Sequence, residues 1–218
     1  MSFFNRHFID FSGVTSKDIY SLFDLALKLK PYTRTTPKNA CLLFLEPSTR
    51  TYHSFELAVR DCGGYPSTFQ VDNSSLKKGE TLLDTLLNLQ AMQYDMLIVR
   101  HGYADESLKK IAQEVNVTLV NAGEGVSGHP SQALLDCLTI FNNKKKLEGE
   151  KVLFVGDIKH SRVVSSNLEL MKLMGMEVAF CAPAEFLPSQ THGVEVFKTL
   201  KDGLNWAGTV MALRTQFE

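Results

Sequence analysis

Residues 41–51 read CLLFLEPSTRT: an apolar run from 41 to 45 stops at Glu46-Pro47, and a helical pattern starts at once. A strand that turns directly into a helix is the repeating unit of parallel α/β sheets. The turn places a helix N-terminus among the hydroxyls of Ser48, Thr49 and Thr51 and the guanidinium of Arg50. Unpaired backbone N–H groups and the positive end of the helix dipole favour an anion there, and an arginine grips a phosphate in a two-pronged fork. A helix cap alone accounts for Ser48. It does not account for Thr49, Arg50 and Thr51 together. With His129 and Gln132 further along the chain, these residues read as a receptor for a small phosphorylated carbonyl compound.

Outward from this turn the same alternation continues. Apolar runs at 41–45, 66–71, 95–99 and 117–121 are separated by helical patterns near 49–62, 80–92 and 104–114, which predicts a parallel sheet with helices on both faces. Upstream, Ile19, Leu22, Phe23, Ala26 and Leu29 share one face of a helix that opens with capping residues from Thr15 to Asp18. Gly63-Gly64 is a usual end for the second helix. A longer helix is expected from 130 to 146, closing in a lysine run that also suits a helix C-terminus. Strands then follow near 151–155, 176–181 and 208–213, with helices near 162–174 and 192–201. The expected fold class is α/β with two doubly wound parallel-sheet domains: a complete one at 1–135, a linking helix at 136–150 and a partial one at 151–218. The second has few elements for a sheet, so apolar helix surface is expected to lie exposed unless something covers it.

Composition narrows the partners. A chain of 218 residues with a net charge of -1 and 22% charged residues has no global basic field, so neither nucleic acid nor an anionic membrane is an expected partner and any anion must be held by local focusing. Cys41, Cys62, Cys137 and Cys181 lack the close spacing of zinc or redox motifs and are expected to be buried, reduced thiols. No metal or organic cofactor is expected. The N-terminus has no basic segment followed by an apolar core, and no run is long enough to span a bilayer, which points to the cytoplasm. A generic nucleotide-binding domain is disfavoured, because no G-x-G-x-x-G or Walker pattern follows any strand.

Ligands of open parallel sheets bind beyond the carboxyl ends of the strands. After the first strand come Ser48, Thr49, Arg50 and Thr51; after the second, Ser74, Ser75, Lys77, Lys78 and Gly79; the third ends in Arg100. The fourth runs into NAGEGVSGHPSQ, the fifth leads to Arg162, and the last ends at Arg214 with Gln216 beyond it. A lone arginine at a strand end is usually a solvated loop residue. A donor set at nearly every strand end is harder to dismiss.

In this order and spacing, FLEPSTRT (44–51), SSLKKGETLLDT (74–85), Arg100-His101, AGEGVSGHPSQALLD (122–136), KVLFVGDIKHSRVVSSN (151–167) and VMALRTQFE (210–218) closely resemble the catalytic chain of the aspartate carbamoyltransferase family, apparently truncated at its C-terminus. The resemblance implies transfer of a carbamoyl group from carbamoyl phosphate to L-aspartate in pyrimidine biosynthesis. It assigns the phosphate to Ser48, Thr49, Arg50 and Thr51, and the carbamoyl end to Arg100, His129 and Gln132. Lys78, with Ser74 or Ser75, would lie on a loop that reaches a neighbouring subunit's site, implying a homotrimer. Arg162, Arg214 and Gln216 would hold the carboxylates of aspartate. Whether regulatory or dihydroorotase subunits are further partners is left open by the sequence. Tyr52 stands where the family usually has a second arginine, and the chain stops where family members continue. Two alternatives stay open: a catalytically incomplete fragment that binds carbamoyl phosphate or assembles, and the ornithine enzyme of the same superfamily.

Overall fold

The computed structural model describes residues 7–29, 38–74, 76, 79–102, 107–125 and 128–215. The chain divides into two compact units, Met1–Gly125 and Val126–Glu218.

In the first unit, β1 (Asn39–Phe44), β2 (Tyr65–Thr68), β3 (Met96–His101) and β4 (Thr118–Glu124) form a parallel sheet in the order β2-β1-β3-β4. The two central strands are apolar on both faces because helices cover both. On one side Cys41, Leu43, Leu97 and Val99 meet Leu82, Leu86 and Leu89 of α3 (Leu82–Ala91) and Leu108 and Ile111 of α4 (Leu108–Ile111). On the other, Ala40, Leu42 and Ile98 meet Tyr52, Phe55 and Val59 of α2 (Thr49–Asp61). The free edge of β4 is paired by an N-terminal segment, with Phe8 N–H donating to the Leu119 carbonyl at 2.7 Å and Asn121 N–H to the Phe8 carbonyl at 2.9 Å. This pairing removes an exposed strand edge.

Helix α1 (Ser16–Lys28) opens with a full capping box between Thr15 and Asp18. Only its first half is a core element: Ile19 and Phe23 are buried, whereas Ala26 and Leu29, expected on the same buried face, are exposed. The second strand stops at Thr68, and a 3-10 turn at Val71–Asn73 takes the rest of the expected run. The expected helix at 104–114 is reduced to the four residues of α4, with 103–106 outside the described residues.

In the second unit, β5 (Lys151–Val155), β6 (Glu177–Cys181), β7 (Glu195–Val196) and β8 (Thr209–Ala212) form a parallel sheet in the order β7-β6-β5-β8. Around it run α5 (Pro130–Lys144), α6 (Arg162–Leu173) and α7 (Leu200–Trp206). Proline at the first position starts α5, where its missing N–H costs nothing. The helix expected at 192–201 is a correction. Residues 195–196 instead pair with Ala179 and Phe180 as a fourth strand, and the helix is displaced to α7, capped by Thr199 with Asp202. The alternation Val194-Glu195-Val196 after Gly193, at φ 80°, is a strand signal, but two residues are too few to stand out from a helical reading. The sheet thus has four strands where three were expected. Apolar surface does lie exposed, at Leu200 and Leu204 of α7 and Val210 of β8. Among the described residues no helix is long and apolar enough to cross a membrane.

Strand order creates one topological switch point in each sheet. From β1 the chain goes to β2 on one side and to β3 on the other; from β5 it goes through β6 to β7 and then crosses back to β8. A crevice opens at the carboxyl ends of the two strands where the winding reverses.

Candidate active site

The first switch point lies between β1 and β3, where Phe44 stands in register with Arg100 and Leu45 N–H donates to the Arg100 carbonyl at 2.8 Å. Arg100 is therefore beside the turn that leads into α2. Ser48 holds the N-cap position with an extended backbone (φ -161°, ψ 91°), yet its side chain makes no capping hydrogen bond. The first helical bond runs from Tyr52 N–H to the Ser48 carbonyl at 3.0 Å. Earlier N–H groups of a first turn have no helical acceptor, so a ligand oxyanion can take them. Thr49 and Arg50 are exposed, and Thr51 is half-buried.

Arg100 is more constrained. Its side chain is only 12% exposed, with Nε 3.7 Å from Glu46 Oε2, and Nη1 donates to the Ala122 carbonyl at 3.1 Å. Sequence reasoning passed over Glu46 as an orienting partner; its place just after β1, beside the end of β3, is the signal that marks it. Behind Arg100, buried His101 Nε2 lies 3.8 Å from Glu124 Oε1, which also accepts the Leu108 N–H at 2.9 Å. Tyr52 does not stand in for a phosphate-binding arginine. Its ring packs edge-on against Phe44 with centroids 5.4 Å apart, and its hydroxyl bonds to Thr68 Oγ1, tying α2 to β2. The Ser74 hydroxyl donates to the Val71 carbonyl at 2.7 Å. Ser75, Lys78 and Gln216 lie outside the described residues.

His129 and Gln132 belong to the second unit, at the start of α5. His129 is buried, its N–H donates to Ser166 Oγ at 2.8 Å, and its Nδ1 lies 3.2 Å from Ser131 Oγ. Gln132 is half-buried, and its Nε2 donates to Asp136 Oδ1 at 2.9 Å. Burial raises the Asp136 carboxyl above the usual carboxylate range, against the hydrogen bonds that Asn167 and Gln132 donate to it.

The second switch point lies between β5 and β8. Gly156 follows β5 at φ 114°, and a Cβ on it would stand 2.5 Å from the Leu213 carbonyl oxygen; only glycine permits that approach. Leu213 N–H in turn donates to the Val155 carbonyl at 2.7 Å. The turn leading to Arg162, at the first position of α6, is thereby joined to the turn carrying Arg214. Arg162 is half-buried and Arg214 exposed. Asp157, an acid that an ornithine side chain would want, is fully buried and accepts both the His160 N–H at 3.2 Å and its ring Nδ1 at 2.9 Å.

The fold is that of a doubly wound α/β protein, with an arginine at the switch point of each sheet. A family model described as "Aspartate/ornithine carbamoyltransferase, carbamoyl-P binding domain" matches residues 6–142. The chain is 42% identical over 224 residues to the aspartate carbamoyltransferase catalytic subunit of Bradyrhizobium sp., covering 98% of this chain and 70% of that one. To the Rhizobium rhizogenes subunit it is 44% identical over 229 residues, covering 100% and 72%. Aspartate transcarbamoylase from Trypanosoma cruzi, solved in complex with carbamoyl aspartate and phosphate, matches at TM-score 0.85 and 28% identity, covering 99% of this chain and 76% of that one. The M. jannaschii catalytic subunit matches at 0.80 and 27%, covering 95% and 73%. The chain belongs to the aspartate carbamoyltransferase catalytic-subunit family.

Proposed function

We propose that this chain transfers the carbamoyl group of carbamoyl phosphate to the amino group of L-aspartate, giving N-carbamoyl-L-aspartate and phosphate, the second step of pyrimidine biosynthesis. One observation supports the reading: an uncapped helix start at Ser48 lies beside Arg100 at the first switch point, and the second switch point joins the turns of Arg162 and Arg214, an arrangement suited to a phosphoryl group and two carboxylates. The aspartate nitrogen, having lost a proton, attacks the carbonyl carbon. Charge builds on the carbonyl oxygen, and the bond to the phosphate oxygen breaks.

Ser48, Thr49, Arg50 and Thr51 take the phosphate, and Thr51, Arg100 and His129 donate to the carbonyl oxygen. One such preorganised donor typically lowers a barrier by roughly 3 to 4 kcal/mol. Holding both substrates in register contributes about 7 to 11 kcal/mol, so positioning outweighs any protein nucleophile. Gln132 contacts the carbamoyl end, and Gln216 joins the two arginines at aspartate. The commitment of Asp157 to His160 favours a dicarboxylate over the cationic side chain of ornithine. Functionally, 1–135 is the carbamoyl phosphate domain, 136–150 the linking helix and 151–218 the aspartate domain. A cytoplasmic homotrimer in which Lys78 and Ser74 or Ser75 serve the neighbour's site belongs to the same reading, as do regulatory or dihydroorotase partners.

The test is product formation by the 218-residue chain, supplied with carbamoyl phosphate and either aspartate or ornithine. Carbamoyl aspartate from the first mixture alone is the expected result. Product from ornithine alone, or from neither, overturns the reading. Arg50→Ala should abolish carbamoyl phosphate binding in calorimetry, and Arg214→Ala should spare it while weakening aspartate.

A further inference from the structure

Gln132 and Asp136 lie four residues apart on α5, and Asn167 reaches the same carboxylate from α6. Gln132 Nε2 donates to Asp136 Oδ1 at 2.9 Å, while Asn167 Nδ2 donates to Asp136 Oδ2 at 2.8 Å and to the Val163 carbonyl at 3.0 Å. Asn167 is fully buried. An ionised carboxylate only accepts hydrogen bonds, so each neighbouring amide must turn its NH2 towards it. Turning Asn167 over would set its oxygen against two acceptors. Turning Gln132 over would set carbonyl against carboxylate. The Gln132 amide is thus held with Oε1, an acceptor, directed away from Asp136.

We propose that Asp136, held in place by Asn167, is a positioning residue that fixes the Gln132 amide so that its oxygen accepts from the carbamoyl NH2, and that it thereby sets the preference for carbamoyl phosphate over acyl phosphates lacking that group. The inference rests on the reading of Gln132 as a carbamoyl contact. Acetyl phosphate is the informative competitor: a methyl group replaces the amino group at similar size and cannot donate. A site built around such an acceptor rejects the analogue because the acceptor is left unpaired. A purely structural role, a helix pair tied to the next helix, predicts that a change at 136 leaves the ratio of the two affinities unmoved.

The experiment is calorimetric titration of carbamoyl phosphate and of acetyl phosphate into the wild-type chain and into Asp136→Asn. An asparagine at 136 cannot accept from both Gln132 and Asn167, so the Gln132 amide is freed to turn. The wild type should prefer carbamoyl phosphate, and the variant should lose about tenfold of that preference, as expected for one misdirected hydrogen bond. In a Gln132→Ala background the change at 136 should leave the ratio unmoved, because Asp136 acts through Gln132. An unchanged ratio, or equal weakening of both ligands, overturns the inference. Should Asp136→Asn fail to fold, Asn167→Ala decides: removing one of the two donors to Asp136 should lower the preference, and an unaltered preference overturns the proposal. A wild type that binds neither ligand removes the premise about Gln132 and the inference with it. A wild type with the preference, beside a variant that keeps it, removes the inference alone.

Discussion

Ser48 shows how far a single residue type carries a reading. Its position at the head of a helix is legible from sequence, but whether its hydroxyl caps that helix depends on a side-chain torsion, and here it does not cap. The cysteines divide in the same way. Cys41, Cys137 and Cys181 are buried, but Cys62, expected with them, is exposed at the C-terminal end of α2. Burial pushes the Cys41 thiol up to about 11 and the Cys137 thiol up to about 12, the latter with help from neighbouring Asp136. A thiol reagent at mildly alkaline pH should therefore label one cysteine of the native protein quickly and the other three only on unfolding; several fast thiols would contradict the burial.

Asp136 gives a pH prediction with a definite sign. Desolvation raises its carboxyl above the ordinary value of 3.8, so the folded state holds that proton more tightly than the unfolded state does. Its contribution to stability is present below 3.8 and is lost as pH rises through the raised value. Asp136→Asn, which cannot ionise, should remove that segment from a plot of urea midpoint against pH. An identical slope in wild type and variant across this window would speak against the assignment.

Elements were legible in proportion to their burial. The central strands β1, β3 and β5 are short apolar runs because helices cover both faces, and such runs stand out from any helical period. Strand β7 was missed because its two residues form an edge and bury little. Tyr52 was legible as a missing cation but not as a packing residue, since its contacts with Phe44 and Thr68 come from two different strands. At this scale Gly156 is the informative position, with its positive φ and the Leu213 carbonyl against it. Gly156→Ala should cost about 1 to 3 kcal/mol in denaturant unfolding, the usual range for an enforced unfavourable backbone. It should also weaken aspartate more than carbamoyl phosphate, because the turn it distorts carries Arg214; equal effects on the two substrates would detach Arg214 from the acceptor.

For the whole molecule, the proposed sharing of Lys78 between subunits makes activity depend on association. Sedimentation should find a trimer, and specific activity should fall on dilution below its dissociation range. A monomer with undiminished activity would overturn that part of the reading. The alternation of strand and helix, the two-sheet class, and the placement of Ser48, Thr49, Arg50, Thr51, Arg100, Arg162 and Arg214 at strand ends were legible without a structure, because periodicity and turn chemistry are local properties of the chain. Long-range pairing sets β1 beside β3 and β5 beside β8, which turns scattered arginines into two switch-point crevices. Tertiary packing alone sets Asp136 between Gln132 and Asn167. Strand order and buried hydrogen-bond partners are fixed by pairing between residues far apart in the chain, and no local pattern encodes which distant partner a polar group will find.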